Sequence, residues 1–288
     1  MPSRAAHAPK SGPRTSPRKA LGQHYLVDGD VLEAILTAAE LDPEDVVVEV
    51  GPGQGALTRH LVEKARRVMA IEIDPHLAAS LPNRLDSPPN LTVINGDARD
   101  VDLDRVLEGE PAYKLVANLP YYAASPILRH FLEAGDRRPV LAVVMTQKEV
   151  AQSMSAEGGK MSLLAAAIQL YGIPRIVCSV PPRAFYPIPK VSSAVLRIDV
   201  RARPAIDVGD PAEFFEIVRA GFFSPRKQLR NSLSLGLGIT TQRSSYLLGL
   251  ADMDPKRRPE NLSLKDWEKL YKVARENMEL WKPEPTPR

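Results

Sequence analysis

Residues 46–55 read Val-Val-Val-Glu-Val-Gly-Pro-Gly-Gln-Gly, and this stretch predicts the fold. The run of β-branched valines predicts a strand, and the glycine-rich turn that follows it opens a helix predicted over 57–66. Glycines in such a turn let a nucleoside approach the backbone closely. The pattern fits a dinucleotide cofactor and S-adenosylmethionine equally well, so the glycines alone leave that choice open.

Short β-branched runs alternate with helical patterns on both sides of this stretch, which is typical of a parallel sheet with crossover helices. We predict strands over 46–50, 68–73, 91–95, 114–117, 141–146, 176–180 and 194–200, and helices over 57–66, 75–85, 126–133 and 162–171. The proline-rich link 181–189 is too stiff for a simple hairpin. We expect it to form a rim over a ligand site at the edge of the sheet. After residue 201 only helical patterns follow, over 211–221, 229–235, 241–248 and 264–277, which predicts a small all-helical domain.

Polar or glycine-rich turns follow four successive predicted strands. They begin at Gly51, Glu72, Asn95 and Asn118. Ligands of open α/β sheets bind at the carboxyl ends of the strands, so these turns converge on one crevice. Glu72 is placed to accept hydrogen bonds from ribose hydroxyls, and Asp97 to accept one from an adenine amine, which narrows the ligand to a nucleoside.

Residues 118–121 read Asn-Leu-Pro-Tyr and supply what methyl transfer to an exocyclic adenine amine requires. The lone pair of adenine N6 is delocalised into the ring, so the amine must be oriented by acceptors while an aromatic face holds the extruded base. The Asn118 side-chain oxygen and the Leu119 carbonyl can be those acceptors. Pro120 fixes the backbone, and Tyr121 offers the ring.

Composition limits the classes of protein that are compatible with the chain. Its 288 residues suffice for one α/β domain of about 200 residues and a smaller domain. The single cysteine, Cys178, excludes a disulfide framework and a thiolate metal cluster, and the five histidines show no metal-ligand spacing. No stretch of the sequence approaches about 18 uninterrupted apolar residues, so we expect no membrane span. The single cysteine suits a reducing cytosol, so we expect a cytoplasmic protein, and we expect no bound metal.

The formal net charge is only +3, but the N-terminus is basic and free of acids, and its prolines oppose a helix. We predict a disordered basic tail over 1–18, a Rossmann-like catalytic domain over 19–202, a helical RNA-binding domain over 203–280, and a loose tail over 281–288. No apolar interface pattern is evident, so a monomer is expected.

From Lys19 to about Leu270 the chain resembles the KsgA/RsmA ribosomal RNA adenine dimethyltransferases, a family that also includes the Erm resistance methyltransferases. The resemblance rests on the motifs above and on residues 22–26, Gly-Gln-His-Tyr-Leu, where the family commonly has Gly-Gln-Asn-Phe-Leu. It implies a class I S-adenosylmethionine-dependent methyltransferase domain with a mostly parallel seven-stranded sheet. The product formed from the cofactor is S-adenosylhomocysteine.

The resemblance also assigns roles to individual residues. It implies that His24, Leu26, Gly51 and its loop with Gly53, Glu72, Asp97 and Asn118 bind the cofactor, and that Asn118, Leu119, Pro120, Tyr121 and Phe185 form the catalytic site. His24 is expected to donate a hydrogen bond to the methionine end of the cofactor. Phe185, in a family motif over 185–193, is expected to form the face of the base clamp opposite Tyr121.

The implied reaction is in-line attack of adenine N6 on the sulfonium methyl, performed twice on each of two adjacent adenosines near the 3′ end of 16S ribosomal RNA within an immature 30S subunit. Asn118 only orients the nitrogen, and the proton of the methylated amine passes to water. Arg226, Lys227 and Arg230 are candidate contacts to RNA phosphates.

Two other functions compete with this one. An Erm-like modifier of large-subunit RNA is opposed by residues 159–163 and 258–261, both closer to the small-subunit branch of the family. A non-catalytic assembly factor on a methyltransferase scaffold is opposed by the intact Glu72, Asp97 and Asn118 positions.

Overall fold

The structure, a computed structural model, describes residues 23–156 and 159–282. The strands are β1 (Tyr25–Leu26), β2 (Val46–Val50), β3 (Arg67–Glu72), β4 (Leu91–Asn95), β5 (Lys114–Asn118), β6 (Leu141–Gln147), β7 (Gly172–Val180), β8 (Phe185–Tyr186) and β9 (Ser193–Val200). The helices are α1 (Gly29–Ala39), α2 (Ala56–Lys64), α3 (Pro75–Arg84), α4 (Leu103–Val106), α5 (Ala124–Leu132), α6 (Lys148–Met154), α7 (Leu163–Tyr171), α8 (Pro211–Gly221), α9 (Leu229–Leu237), α10 (Thr241–Leu250) and α11 (Leu264–Glu276).

Seven strands form one sheet in the order β4-β3-β2-β5-β6-β9-β7. Strands β2 to β6 are parallel to one another, whereas β9 runs antiparallel to both β6 and β7. The chain moves outward from β2 through β3 to β4 and then returns to β5 on the other side of β2. The carboxyl ends of β2 and β5 therefore flank the switch point at which open α/β sheets bind ligands. The predicted fold class is confirmed.

The valine run of β2 is buried on both faces of the sheet. Val46, Val48 and Val50 join the core that extends toward α5 and α7, and Val47 joins the core on the opposite face with α1 and α2. Successive strand side chains point to opposite faces, so a strand covered on both sides is apolar at consecutive positions, as at 46–48. This requirement explains why the stretch around β2 indicates the fold so clearly.

A second, two-stranded sheet joins two segments that are far apart in the sequence. Strand β1 pairs antiparallel with β8, with Tyr25 opposite Tyr186 and Leu26 opposite Phe185. The Val27 amide also donates to the Ala184 carbonyl at 2.9 Å. Residues 24–27 and 184–187, which are these two short strands and the residues that flank them, are called the strap. The strap contributes to the wall of a cleft at the carboxyl ends of the sheet strands, as expected for the rim predicted at 181–189.

The C-terminal region consists of α8 to α11, and its predicted helical character is confirmed. A capping box at Ser263 and Asp266 begins α11, and Trp267 packs so tightly on α8 that its ring leaves no room for a Cβ atom at Gly221. The core of this region is continuous with that of the sheet domain, since Phe215 contacts Tyr171 with ring centroids 6.3 Å apart. The boundary at 202/203 stays a prediction.

Several predicted bounds change. Strand β7 begins at Gly172, four residues before the predicted start, and α1, α4, α6, β1 and β8 were not predicted. The expectation of a loose chain from residue 281 is wrong at its start, because Trp281 is 2% exposed and Lys282 pairs with Glu213 at 2.6 Å. The predicted tail 1–18 and residues 283–288 lie outside the described residues.

Among the described residues, no helix is both long enough and apolar enough to cross a membrane.

Candidate nucleoside and base cleft

A cleft lies at the carboxyl ends of β2 to β5 and has an empty volume of about 1070 Å³, counting its open mouth. This space is sufficient for a nucleoside cofactor and a second base. Every residue that the sequence assigned to the cofactor or to catalysis lines it, namely His24, Leu26, Gly51, Gly53, Glu72, Asp97, Asn118, Leu119, Pro120, Tyr121 and Phe185. The structure therefore brings all eleven positions together, although their roles stay predictions.

The glycine turn after β2 requires left-handed backbone. Gly51, Gly53 and Gly55 have φ angles of 70°, 56° and 86°, which L side chains rarely adopt. A Cβ atom at Gly53 would also lie 3.1 Å from the Tyr25 ring. The backbone without side chains here forms a cradle that can hold a ligand. A side chain at Gly53 would fill part of this cradle.

Glu72, at the end of β3, holds this turn in place. One carboxylate oxygen accepts from the Gly53 amide at 3.0 Å and the other accepts from the Asp74 amide at 2.9 Å. Glu72 is 4% exposed, and burial raises its pKa, while backbone hydrogen bonds from Asp74, Gly53 and Ile73 act in the opposite direction. A carboxylate has about four acceptor positions, so Glu72 can still accept a hydrogen bond from a ribose hydroxyl.

Glu49 is a cleft residue to which the sequence analysis gave no role. It lines the cleft, is 1% exposed, and its Oε2 has no hydrogen-bond partner among the described residues. Burial raises its pKa to about 8, the neighbouring Thr58 side chain acts in the opposite direction, and the nearby Glu72 carboxylate makes a smaller upward contribution. A buried acid with one unpartnered oxygen beside a glycine cradle suits a ligand with cationic groups, such as the sulfonium and ammonium groups of S-adenosylmethionine. The glycine turn and the carboxylates beside it therefore suit S-adenosylmethionine.

Asp97, after β4, is held by an ion pair. Both of its carboxylate oxygens lie 3.0 Å from Nε of Arg99, and this pairing lowers the Asp97 pKa. Asp97 therefore remains an anion able to accept a hydrogen bond from an adenine amine. Arg99 also lines the cleft. The sequence analysis missed it, because a basic residue two positions after an acid usually lies on the surface. Only the structure shows that this ion pair lies in the cleft.

Asn118, the last residue of β5, is oriented by the strap. Its Nδ2 donates to the main-chain carbonyl of His24 at 3.2 Å. A carbonyl can only accept, so the amide group must face it with its NH₂ end. The Asn118 side-chain oxygen is thereby left to accept a hydrogen bond from a ligand. No described residue donates to the Leu119 carbonyl, so the second predicted acceptor is also available.

Tyr121 is fixed at its hydroxyl end and stacked at its ring. The hydroxyl lies 2.6 Å from Oγ of Ser193, which is fully buried at the start of β9. Burial raises the Tyr121 pKa, so the phenol stays neutral. The His24 ring lies nearly parallel to the Tyr121 ring, with 24° between their planes and 5.9 Å between their centroids.

His24 uses one ring nitrogen within the protein. Its Nδ1 lies 2.7 Å from the Pro187 carbonyl and must donate to it. In the neutral ring Nε2 can then only accept, so the predicted donation of a hydrogen bond to the cofactor is restricted to the protonated ring.

Phe185 lines the cleft but is 2% exposed, packed in the core with Leu26 and Val195. The ring that the structure stacks on Tyr121 is that of His24 and not that of Phe185. That Phe185 faces Tyr121 stays a prediction.

The candidate RNA-contacting residues are not part of the cleft. Arg226 and Lys227 are exposed before α9, Arg230 is half-buried within it, and none of the three forms an ion pair with the described residues. Their charges are therefore available to a polyanion. Within residues 23–156 and 159–282, no cluster of three or more His, Cys, Asp or Glu side chains could hold a metal ion.

Comparison with known proteins gives consistent matches over most of the chain. The family model described as ribosomal RNA adenine dimethylase matches residues 14–275. Ribosomal RNA small subunit methyltransferase A of Dehalococcoides mccartyi strain 195 is 44% identical, over 90% of this chain and 89% of that protein. The protein of the same name from Moorella thermoacetica is 43% identical, over 87% of this chain and 90% of that protein.

Two solved structures share the architecture. The 23S rRNA methyltransferase ErmE has a TM-score of 0.65 and 29% identity, and the match covers 86% of this chain and 98% of ErmE. A dimethyladenosine transferase from Plasmodium falciparum has a TM-score of 0.70 and 26% identity, and the match covers 88% of this chain and 98% of that protein.

Proposed function

The chain belongs to the ribosomal RNA adenine dimethylase family, and on that premise we propose that it dimethylates N6 of two adjacent adenosines near the 3′ end of 16S ribosomal RNA. Family membership establishes an S-adenosylmethionine-dependent enzyme acting on adenine in ribosomal RNA. The proposal adds the two sites, an immature 30S particle as the substrate, and action as a cytoplasmic monomer. It follows the small-subunit relatives, which are 44% and 43% identical, in preference to the 29% identical large-subunit enzyme.

The observation that carries the proposal is the orientation of Asn118. Its NH₂ group is engaged by the His24 carbonyl, so its oxygen and the Leu119 carbonyl form a pair of acceptors at the end of β5. An exocyclic amine has two hydrogens, and two acceptors hold both of them. The N6 lone pair is then turned out of conjugation with the ring and toward a methyl donor. Positioning of this kind can supply most of the rate.

The glycine turn, Glu72 and Asp97 would hold S-adenosylmethionine, with Glu49 opposite its cationic groups. When bound, this cofactor supplies a methyl group on a sulfonium sulfur, which an amine lone pair takes with release of S-adenosylhomocysteine. Asn118 is neutral, so it orients the amine and does not take its proton. The methylated amine is acidic enough to lose that proton to water. The arrangement allows a second transfer to the same nitrogen, because an amine with one remaining hydrogen still has an acceptor to hold it.

Binding of RNA outside the cleft is proposed for Arg226, Lys227 and Arg230. Such residues bind phosphates with little sequence information, and removing one phosphate-binding cation reduces the slope of log affinity against log salt by about 0.9 for duplex nucleic acid. Replacing all three by glutamine should therefore flatten the salt dependence of binding to the subunit by about two to three units. An unchanged slope would show that these side chains do not bind the RNA.

The experiment that tests the function is mass spectrometry of ribosomal RNA after incubation of the protein with S-adenosylmethionine and small subunits that lack adenine dimethylation. Large-subunit RNA serves as the parallel substrate, and the Asn118→Ala variant serves as the control for contaminating activity. Four methyl groups on two adjacent small-subunit adenosines support the proposal. Methylation confined to large-subunit RNA would reassign the substrate. No methylation of either RNA despite cofactor binding would favour an assembly factor.

A further inference from the structure

Arg99 lines the cleft together with the residues assigned to the cofactor and those assigned to the base. Its side chain is 43% exposed and pairs with Asp97, and it lies within electrostatic range of the Tyr122 phenol. We propose that Arg99 exchanges partners: the adenine of the cofactor takes Asp97, and the released guanidinium binds a phosphate of the target RNA strand. This inference rests on the proposed function, because it names a ligand for that reaction's substrate.

The Asp97 carboxylate accepts two hydrogen bonds from Arg99 at each of its oxygens. Oδ1 accepts from the Arg99 backbone amide at 2.9 Å and from Nε at 3.0 Å. Oδ2 accepts from the same Nε at 3.0 Å and from a terminal guanidinium nitrogen at 2.5 Å. A carboxylate offers about four acceptor positions, so Arg99 fills them. An adenine amine can therefore bond to Asp97 only after the guanidinium has withdrawn.

The backbone on both sides of Arg99 is fixed, so the exchange needs only rotation of a side chain. The Gly96 amide donates to the Glu72 carbonyl at 3.0 Å, which ties the start of the loop to β3. Nε2 of His130 lies 2.9 Å from the Val101 carbonyl, which ties its end to α5. An ion pair between partly exposed side chains contributes little net free energy, because water solvates both charges when they separate. A ligand can therefore displace this guanidinium.

The chemistry of the released side chain favours a phosphate. Guanidinium presents a planar fork of donors that matches two phosphate oxygens. Asp100, the other acid within electrostatic range of Arg99, is exposed and competes weakly. A target nucleotide held at Asn118 and Tyr121 brings its flanking phosphates to the mouth of the cleft beside Tyr122. Cofactor binding would then add one contact to RNA binding, and by reciprocity RNA would tighten cofactor binding by the same factor.

The competition for Asp97 is tested by calorimetry with S-adenosylhomocysteine, which carries the adenine without the sulfonium charge. The variant is Arg99→Leu, and the matched control is Arg137→Leu, which removes an ion pair of similar exposure with Asp104 outside the cleft. At low salt the Arg99 variant should bind about 1.5- to 5-fold more tightly than the wild type, the range for loss of an exposed ion pair. The difference should largely disappear in about 1 M salt, which screens such pairs. The control should match the wild type.

The phosphate contact is tested by the salt dependence of binding to small subunits that lack adenine dimethylation. Binding is measured with and without saturating S-adenosylhomocysteine. In the wild type the ligand should steepen the slope of log affinity against log salt by about 0.7 to 0.9, the value for one phosphate contact. In Arg99→Leu the ligand should leave the slope unchanged. Arg99→Lys keeps the charge and should retain the steepening, as should Arg137→Leu.

Two sets of results would overturn the inference. Equal or weaker binding of S-adenosylhomocysteine by Arg99→Leu at low salt would show that Arg99 does not compete with the adenine for Asp97. A slope that the ligand leaves unchanged in the wild type, or steepens equally in Arg99→Leu, would show that no phosphate contact is gained through Arg99. Failure of the proposed function is distinguishable, because it would appear as wild-type protein that does not methylate small-subunit adenosines.

Discussion

The cleft has two halves that are built in different ways. In the cofactor half, Gly51 to Gly55 and Glu72 form a rigid unit in which a buried carboxylate accepts two backbone amides. In the base half, Asn118 and Tyr121 depend on partners from the strap and from β9, namely the His24 carbonyl and Ser193. The half proposed to bind the cofactor is therefore supported locally by the sheet, whereas the half proposed to position the base depends on contacts between remote segments. Substitutions in the two halves should therefore separate binding from transfer.

The largest effect should follow from Asn118→Ala. Loss of the oriented side-chain oxygen removes one acceptor for the adenine amine, and we expect methyl transfer to fall by at least about 10²-fold, as for loss of one preorganised polar group in an active site. Cofactor affinity by calorimetry should stay largely intact. The control is Asn90→Ala, which also removes side-chain hydrogen bonds, to the Val62 and Ala65 carbonyls at 2.9 Å, but lies at the opposite end of the sheet. Equal turnover by the Asn118 variant would refute the orienting role.

A smaller but clear effect should follow from Glu72→Gln. The amide can accept only one of the two backbone N–H groups and points an NH₂ group at the other, which leaves a buried donor unsatisfied. We expect the dissociation constant for the cofactor to rise about 10- to 100-fold, and kcat at saturating cofactor to change much less. Glu110→Gln, at an acid that pairs with Arg66 and Arg67 outside the cleft, should leave the cofactor affinity unchanged. A kcat defect without loss of affinity would contradict the division between the halves.

Glu49 should make cofactor binding depend on pH. Its pKa of about 8 means that the carboxyl is mostly protonated in the free protein at pH 7, and a cationic cofactor beside it favours the ionised form. Binding should therefore release close to one proton at pH 7, and affinity should rise as pH increases toward 8. Calorimetry in buffers of different ionisation enthalpy measures this release, which Glu49→Gln should abolish. Release unchanged in that variant would exclude Glu49 as the source.

The same group affects stability in the absence of cofactor. Its folded-state pKa of about 8 lies above the ordinary value of 4.5, so the folded state holds the proton more tightly than the unfolded chain does. The stabilisation from this group is fully present below about pH 4.5 and is lost as pH rises through about 8. The free energy of unfolding of the Glu49→Gln variant should therefore decline less over this window than that of the wild type.

The smallest effect should follow from Tyr121→Phe. The ring remains but loses its hydroxyl contact with Ser193, and a single hydrogen bond contributes about 0.5 to 1.5 kcal/mol. We expect kcat/KM for the RNA to fall about threefold to tenfold, with unchanged cofactor affinity. Ser193→Ala should give a similar loss, and the double variant should lose little more than either single one. Tyr113→Phe, which removes a hydroxyl bond to the Arg137 carbonyl, is the control. Additive losses would show that the hydroxyl contact does not orient the ring.

Prediction from the sequence succeeded where structure is set by short-range patterns. The strands β2 to β6 and helices α8 to α11 were placed within a few residues, because periodicity and glycine or proline boundaries are local signals. It failed at the strap and at α1. A two-residue strand has no periodicity, and its pairing is determined by segments more than 150 residues apart. The burial of Trp281 was also missed, because the proline-rich sequence around it gives no local sign that its indole is buried and donates to the Ala274 carbonyl in α11.

The parallel sheet, the convergence of its strand ends and eleven of the residues that line the cleft could therefore be predicted from the sequence alone. Side-chain alternation along strands and the position of turns after them depend on neighbouring residues, so they can be read along the chain. The direction of the Asn118 amide, the ring that stacks on Tyr121, and the burial of a Glu49 Oε2 atom with no hydrogen-bond partner among the described residues became evident only from the tertiary structure. Orientation, stacking and desolvation depend on atoms brought together by folding.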